Sequence, residues 1–160
     1  GKDALAETLK RYYADYQFTH PTPNDFIRTA EKVSGAHLGW YLNDFTKTTK
    51  TIDYAIELVK PGSSGASIEL KRIGGIGMPI DLVVSLNDGS QHHYYIPLTE
   101  MRAEKPNEHE LYRTVLSDWS WAQQRYTFEV AHPLENIKTI AIDPSTRMAD
   151  IDQSNNVFSQ

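Results

Sequence analysis

The sequence predicts an α+β fold: a short N-terminal segment of three helices over residues 1–50, then an antiparallel β-sandwich over residues 51–160. Three observations carry that prediction. Apolar residues recur at helical spacing through about residue 47 and at every second position from Thr51 onward. The change falls on the polar run "TKTTKT" that ends at Thr51, and the later "NDGS" has the composition of a tight hairpin turn. The composition, 39% hydrophobic and 23% charged over 160 residues, is that of a globular chain long enough to bury a core.

The helices come first. Leu5, Leu9, Tyr12, Tyr13 and Tyr16 give an amphipathic stretch from about Asp3 to Gln17. In "HPTPNDFIRTAEKVSG", Thr22 is a natural cap, Pro23 suits the first helical position and Asp25 completes a capping-box-like pair with Thr22. Phe26, Ile27, Ala30 and Val33 form the apolar stripe, and Gly35 ends the helix. The segment "AHLGWYLNDFTK" supplies a third helix with Leu38, Trp40, Tyr41, Leu42 and Phe45 on one broad face.

The strands follow. "TIDYAIELVK" alternates through Ile52, Tyr54, Ile56 and Leu58, "ASIELKRI" through Ile68 and Leu70, and "PIDLVVSL" through Ile80, Leu82, Val84 and Leu86. After the Asp88-Gly89 turn, "QHHYYIPL" alternates back. A polar loop from Glu100 to His109 precedes two further strands, "RYTFEVA" and "NIKTIAID". About six short antiparallel strands are therefore expected.

The chain contains no cysteine, which excludes disulfides, thiolate metal sites and cysteine nucleophiles. A net charge of −5 is the wrong sign for a nucleic-acid footprint, and no apolar run approaches the ~18 residues of a membrane helix. The chain begins Gly1-Lys2-Asp3 with no methionine and no signal peptide, which predicts a piece of a longer polypeptide.

Several motifs invite chemistry. "HELYR", residues His109 to Arg113, stops one imidazole short of the H-E-x-x-H zinc-peptidase pattern, because Arg113 cannot ligate a metal. His92 and His93 are adjacent on a strand, so they face opposite ways and cannot chelate one ion. In "DIDQSNN", Asp150, Asp152 and Ser154 occupy positions 1, 3 and 5 of a calcium-loop pattern whose glutamate position lies beyond Gln160; a terminal turn explains it as well. Gly74, Gly75 and Gly77 precede Pro79 and a strand, where a phosphate loop needs a helix. Trp119 and Trp121 in "DWSWAQQRYTF", with Tyr94 and Tyr95, suit either a glycan platform or a core. No catalytic or metal-binding residue is assigned, and the ligand-binding residues are unknown.

The order of elements resembles one family. "LKRYYADYQFTHPTPNDFIRTAEKVSGAHLGWYLNDFTKTTKTIDYAI" is similar to the stretch that follows the active site in gluzincin zinc metallopeptidases, the aminopeptidase N and leukotriene hydrolase family. "RIGGIGMPIDLVVSLNDGSQHHYYIPL" resembles that family's β-sandwich module, and "IAIDPSTRMADIDQSNNVF" its close. The resemblance implies a chain that lacks the HExxH segment. Residues 1–50 would be the terminal helices of a thermolysin-like catalytic domain and residues 51–160 the sandwich. It implies zinc in the full-length parent but no cofactor in this chain, which alone would be inactive. The implied partner is the missing catalytic domain, with self-association through exposed helix faces, no nucleic acid and no membrane span. Export to a periplasmic or extracellular location is favoured on the same ground. Two other functions stay open: a stand-alone sandwich that binds a glycan or protein, and a metalloenzyme that uses His109 and Glu110.

Overall fold

The structure, a computed structural model, describes residues 2–107 and 112–160. It is an α+β fold of three helices followed by eight strands in two sheets. Contacts divide it into a helical unit, residues 2–49 with 100–107, and a strand unit, residues 50–99 with 112–160. The loop that the sequence leaves between strands thus belongs with the helices, where the Met101 carbonyl accepts the His37 amide at 2.9 Å.

Helix α1 spans Lys2–Tyr16, α2 Pro23–Ser34 and α3 Gly39–Lys47. Local chemistry sets the bounds of α2. Asp25 Oδ2 accepts from the Thr22 amide and hydroxyl at 2.8 and 2.7 Å, Pro23 opens the helix, and Gly35 closes it at φ 69° with its amide on the Glu31 carbonyl. Only glycine adopts that left-handed backbone freely. Glu31 then caps α3 from outside, its Oε1 accepting the Leu38 and Gly39 amides at 2.8 and 3.1 Å. A carboxylate at a helix N-terminus satisfies orphan donors and opposes the positive end of the helix dipole.

The strands are β1 Tyr54–Pro61, β2 Ala66–Arg72, β3 Ile80–Leu86, β4 Gln91–Ile96, β5 Arg113–Val115, β6 Arg125–Val130, β7 Ile137–Ile142 and β8 Val157–Ser159. One sheet runs β1-β2-β6, the other β5-β4-β3-β7-β8, and all pairs are antiparallel except β4 with β5. Rings connect the two sheets, with Tyr94 of β4 against Phe128 of β6 at 5.9 Å between centroids. The buried set includes Ile68, Leu70, Ile80, Leu82, Val84, Ile96, Ile137 and Ile140; Ile68 and Leu70, and Ile80, Leu82 and Val84, keep the period-two spacing of the sequence, while β3 also buries Asp81 and Val83.

Two expectations about strands are corrected. Among the described residues the count is eight, because β5 and β8 hold three residues each and are too short to show alternation. The pattern in β1 also breaks. A bulge between Ile56 and Leu58 turns Leu58 outward, against the expected inward alternation. Glu57, at the bulge, is held by Arg125 of β6 through Nε and Nη2 at 2.6 and 3.0 Å and by Lys71 of β2 at 2.9 Å. Those hydrogen bonds hold its carboxyl down at about 2. Like the charges that guard sheet edges in other proteins, this ladder keeps the outer face wet.

Candidate functional site

The helical unit leaves part of its apolar surface exposed. Within the helices the buried residues are Thr8 and Thr29, each with its hydroxyl bonded back to the carbonyl four residues earlier, at 2.7 Å to Ala4 and 2.9 Å to Asp25. Tyr12 of α1 meets Phe26 of α2 edge to face at 5.2 Å. Phe26, Ile27 and Val33 of α2 are half-buried, whereas large apolar side chains of α1 are exposed. Leu5 is 55% exposed, Leu9 51% and Tyr13 68%, a stripe at i, i+4 and i+8 along α1. Beyond the helix end Phe18 is 97% exposed and sits at φ 64°, the region that favours glycine.

The motifs singled out in the sequence do not converge. His109 and Glu110 lie outside the described residues. His92 and His93 do diverge. His92 stacks on His132, centroids 4.2 Å apart, while His93 is buried with Nε2 3.0 Å from Asp81 Oδ1. Burial and the neighbouring His92 push the His132 pKa down. Arg113 sits over the Tyr95 ring at 4.4 Å to the centroid, so the residue that breaks the zinc pattern has a packing role.

In "DIDQSNN" the acidic groups hold the chain. Asp150 Oδ2 accepts the Tyr54 amide and Oδ1 the Asp152 amide, both at 2.9 Å. Asp152 Oδ1 accepts the Ser154 amide at 3.1 Å and also its hydroxyl. Ile151 donates to the Ile52 carbonyl at 3.1 Å, and Asn155 Nδ2 to Asp53 Oδ1 at 3.1 Å. The segment therefore fastens the end of the chain to the start of β1, as a terminal turn does.

The glycine run serves close approach. A Cβ on Gly74 would collide with the Thr51 carbonyl and the Asp53 amide, so only glycine lets the segment after β2 lie against the segment before β1. Just beyond, Tyr54 Oη accepts the Met78 amide at 2.8 Å, and burial raises the Tyr54 pKa to about 12. That phenol stays protonated at any physiological pH.

Of the two readings open for the aromatic residues, glycan platform or core, the structure places most of them in the core. Trp119 is 2% exposed and packs between Tyr54 and Tyr126, with centroids at 5.4 and 5.3 Å. Tyr94 and Tyr95 are buried, and Trp121 stands 66% exposed without them.

The resemblance places zinc in the full-length parent and none in this chain; among the described residues no three His, Asp or Glu side chains are placed to share an ion. No described helix is long and apolar enough to cross a membrane. Sequence reasoning missed Asp81, the partner of His93, and the special backbone of Phe18. The first could have been sought as the one carboxylate in an otherwise apolar strand. Compared with protein-family models, curated proteins and solved structures, the chain matches none.

Proposed function

We propose that this chain is the non-catalytic rear portion of a zinc aminopeptidase-like metallopeptidase. On this reading its two sheets form a β-sandwich module, and its helices buttress a catalytic domain that hydrolyses peptides. The observation that carries it is the exposed Leu5–Leu9–Tyr13 stripe on a helix whose buried position is a threonine. An isolated helix pair gains most by turning leucines toward its partner helix and threonines toward water. The reverse arrangement suits helices that form the border of a larger core. The sequence resemblance supplies the identity of that core, and the strand unit, with its own apolar interior, supplies a rigid base.

The test is to read the coding sequence upstream of the Lys2 codon. An HExxH segment with a further glutamate about twenty residues on supports the proposal. A start codon directly ahead of Lys2, or an upstream domain without that zinc set, overturns it.

A further inference from the structure

Two histidines meet across the two sheets. His92 lies on β4 of the five-stranded sheet, and His132 follows the end of β6 in the three-stranded sheet. Their rings stand 4.2 Å apart between centroids, tilted by 40°. The backbone fixes both. His92 is paired with Val84 of β3, and the chain that leads into His132 is paired through Val130 with Ala66 of β2. Beyond His132 the chain is tied down at Asn87, whose amide donates to the Asn136 carbonyl at 2.9 Å and whose Nδ2 donates to the Glu135 carbonyl at 2.8 Å. Both rings are half-buried, so one side of the pair stays open to solvent. The Asp88 carboxylate, held by the Ser90 amide and hydroxyl at 2.9 and 2.6 Å, adds a negative charge that acts on both rings.

We propose that His92 and His132 form a two-imidazole site for a divalent ion of the nickel–copper class, completed by water, that clasps one sheet to the other. The ring spacing selects the ion. With metal–nitrogen bonds of about 2.0–2.1 Å and each ring centre about 1.1 Å behind its nitrogen, two imidazoles at a right angle on one ion have centres about 4.5 Å apart. At the tetrahedral angle the same arithmetic gives about 5.2 Å. The observed 4.2 Å is nearer the right angle, the geometry of tetragonal Ni²⁺ and Cu²⁺ rather than of tetrahedral Zn²⁺. Neutral imidazole suits these ions, whereas Ca²⁺ and Mg²⁺ require oxygen. The protonation state agrees, because burial and the neighbouring ring keep His132 neutral at physiological pH, the form that ligates. With two side-chain ligands the site needs no third His, Asp or Glu, and Asp88 contributes its charge from outside. His92 thus finds its partner in His132 on the facing sheet, not in the adjacent His93, which points the other way.

The site lies wholly within the strand unit, so the inference does not depend on the parent being a peptidase. The test titrates the 160-residue chain, free of any polyhistidine tag, with nickel chloride. One ion should bind per chain, and Ni²⁺ at about a hundred times its Kd should raise Tm by roughly 5–10 °C. His92→Gln and His132→Gln should each weaken binding at least tenfold, while His37→Gln leaves it unchanged. Should either glutamine variant fail to fold, the unsubstituted chain still decides. Substoichiometric Ni²⁺, which is paramagnetic, should broaden the imidazole resonances of His92 and His132 together and ahead of His20 and His37. Broadening that begins at any other histidine overturns the proposal. So does the absence of a Tm rise up to millimolar Ni²⁺, which makes the ring pair a packing contact only, and so does binding that survives in both glutamine variants.

Discussion

Asp150→Ala removes the side chain that fastens the last segment to β1. Two amides lose their acceptor, Tyr54 N and Asp152 N, both at 2.9 Å from the carboxylate. Tyr54 is fully buried, so water cannot replace the lost bond there, whereas the Asp152 amide lies closer to solvent. With about 2 kcal/mol for the first and about 1 kcal/mol for the second, the loss comes to about 3 kcal/mol. For a chain of this length, that lowers Tm by roughly 6–12 °C. Asp150→Asn keeps one acceptor and should lose about half as much. The assay is thermal unfolding followed by near-ultraviolet circular dichroism, which reports the Tyr54–Trp119 ring contact. A loss below about 1 kcal/mol for the alanine variant would refute the fastening role. So would a rise in the wild-type Tm on adding millimolar calcium that Asp150→Ala abolishes, since it would make the carboxylate a ligand.

Three further outcomes can be checked on the same instrument. Trp119→Ala should cost about 3–5 kcal/mol as a core deletion, whereas Trp121→Ala should stay within about 0.5 kcal/mol and leave the emission of the chain unquenched by added oligosaccharide. Glu57 falls from 4.5 to about 2 on folding, so its stabilisation is complete above 4.5 and lost as pH drops toward 2; Glu57→Gln should flatten acid unfolding in that window, and an unchanged slope would exclude the Arg125 contact as the cause. His132 is shifted the opposite way from a salt-bridged histidine: its folded value lies below 6.5, so stability is full above 6.5 and declines as pH falls through the lowered value. His132→Phe should remove that decline in urea titrations between neutral and mildly acid pH.

The parts of the fold legible in the sequence are those fixed by neighbours along the chain. The cap at Thr22 and Asp25 and the stop at Gly35 need only a few residues of context, so α2 could be bounded to the residue. The alternation of Ile80, Leu82 and Val84 likewise marks a strand from its own residues, although β3 also buries Asp81 and Val83 on its other face. What was not legible depends on partners far away. Glu57 sits at its bulge with Arg125, sixty-eight positions on. The three residues of β5 are a strand only because β4 offers a parallel edge. Asp81 and His93 meet because the hairpin register places them diagonally on one face. Phe18 carries no sequence signal at all, since its meaning lies in a backbone angle. Apolar periodicity showed that Leu5, Leu9 and Tyr13 share a face, but which face the helix buries is settled by tertiary packing.

The two units differ in what they can do alone. The strand unit buries isoleucine, leucine and valine on paired strands and ties its own terminus down through Asp150. It has the ingredients of an independently stable body. The helical unit is under 60 residues, a size at which burial of apolar surface is marginal even when well arranged. Here the arrangement is poor, because two helix threonines are buried while Leu5, Leu9, Tyr13 and Phe18 face water. A polar hydroxyl that bonds back to its own helix adds little cohesion between helices. Strengthening the helix pair itself offers a direct check: Thr8→Val, which removes the buried hydroxyl and keeps the shape, should raise the melting of the helices in this chain.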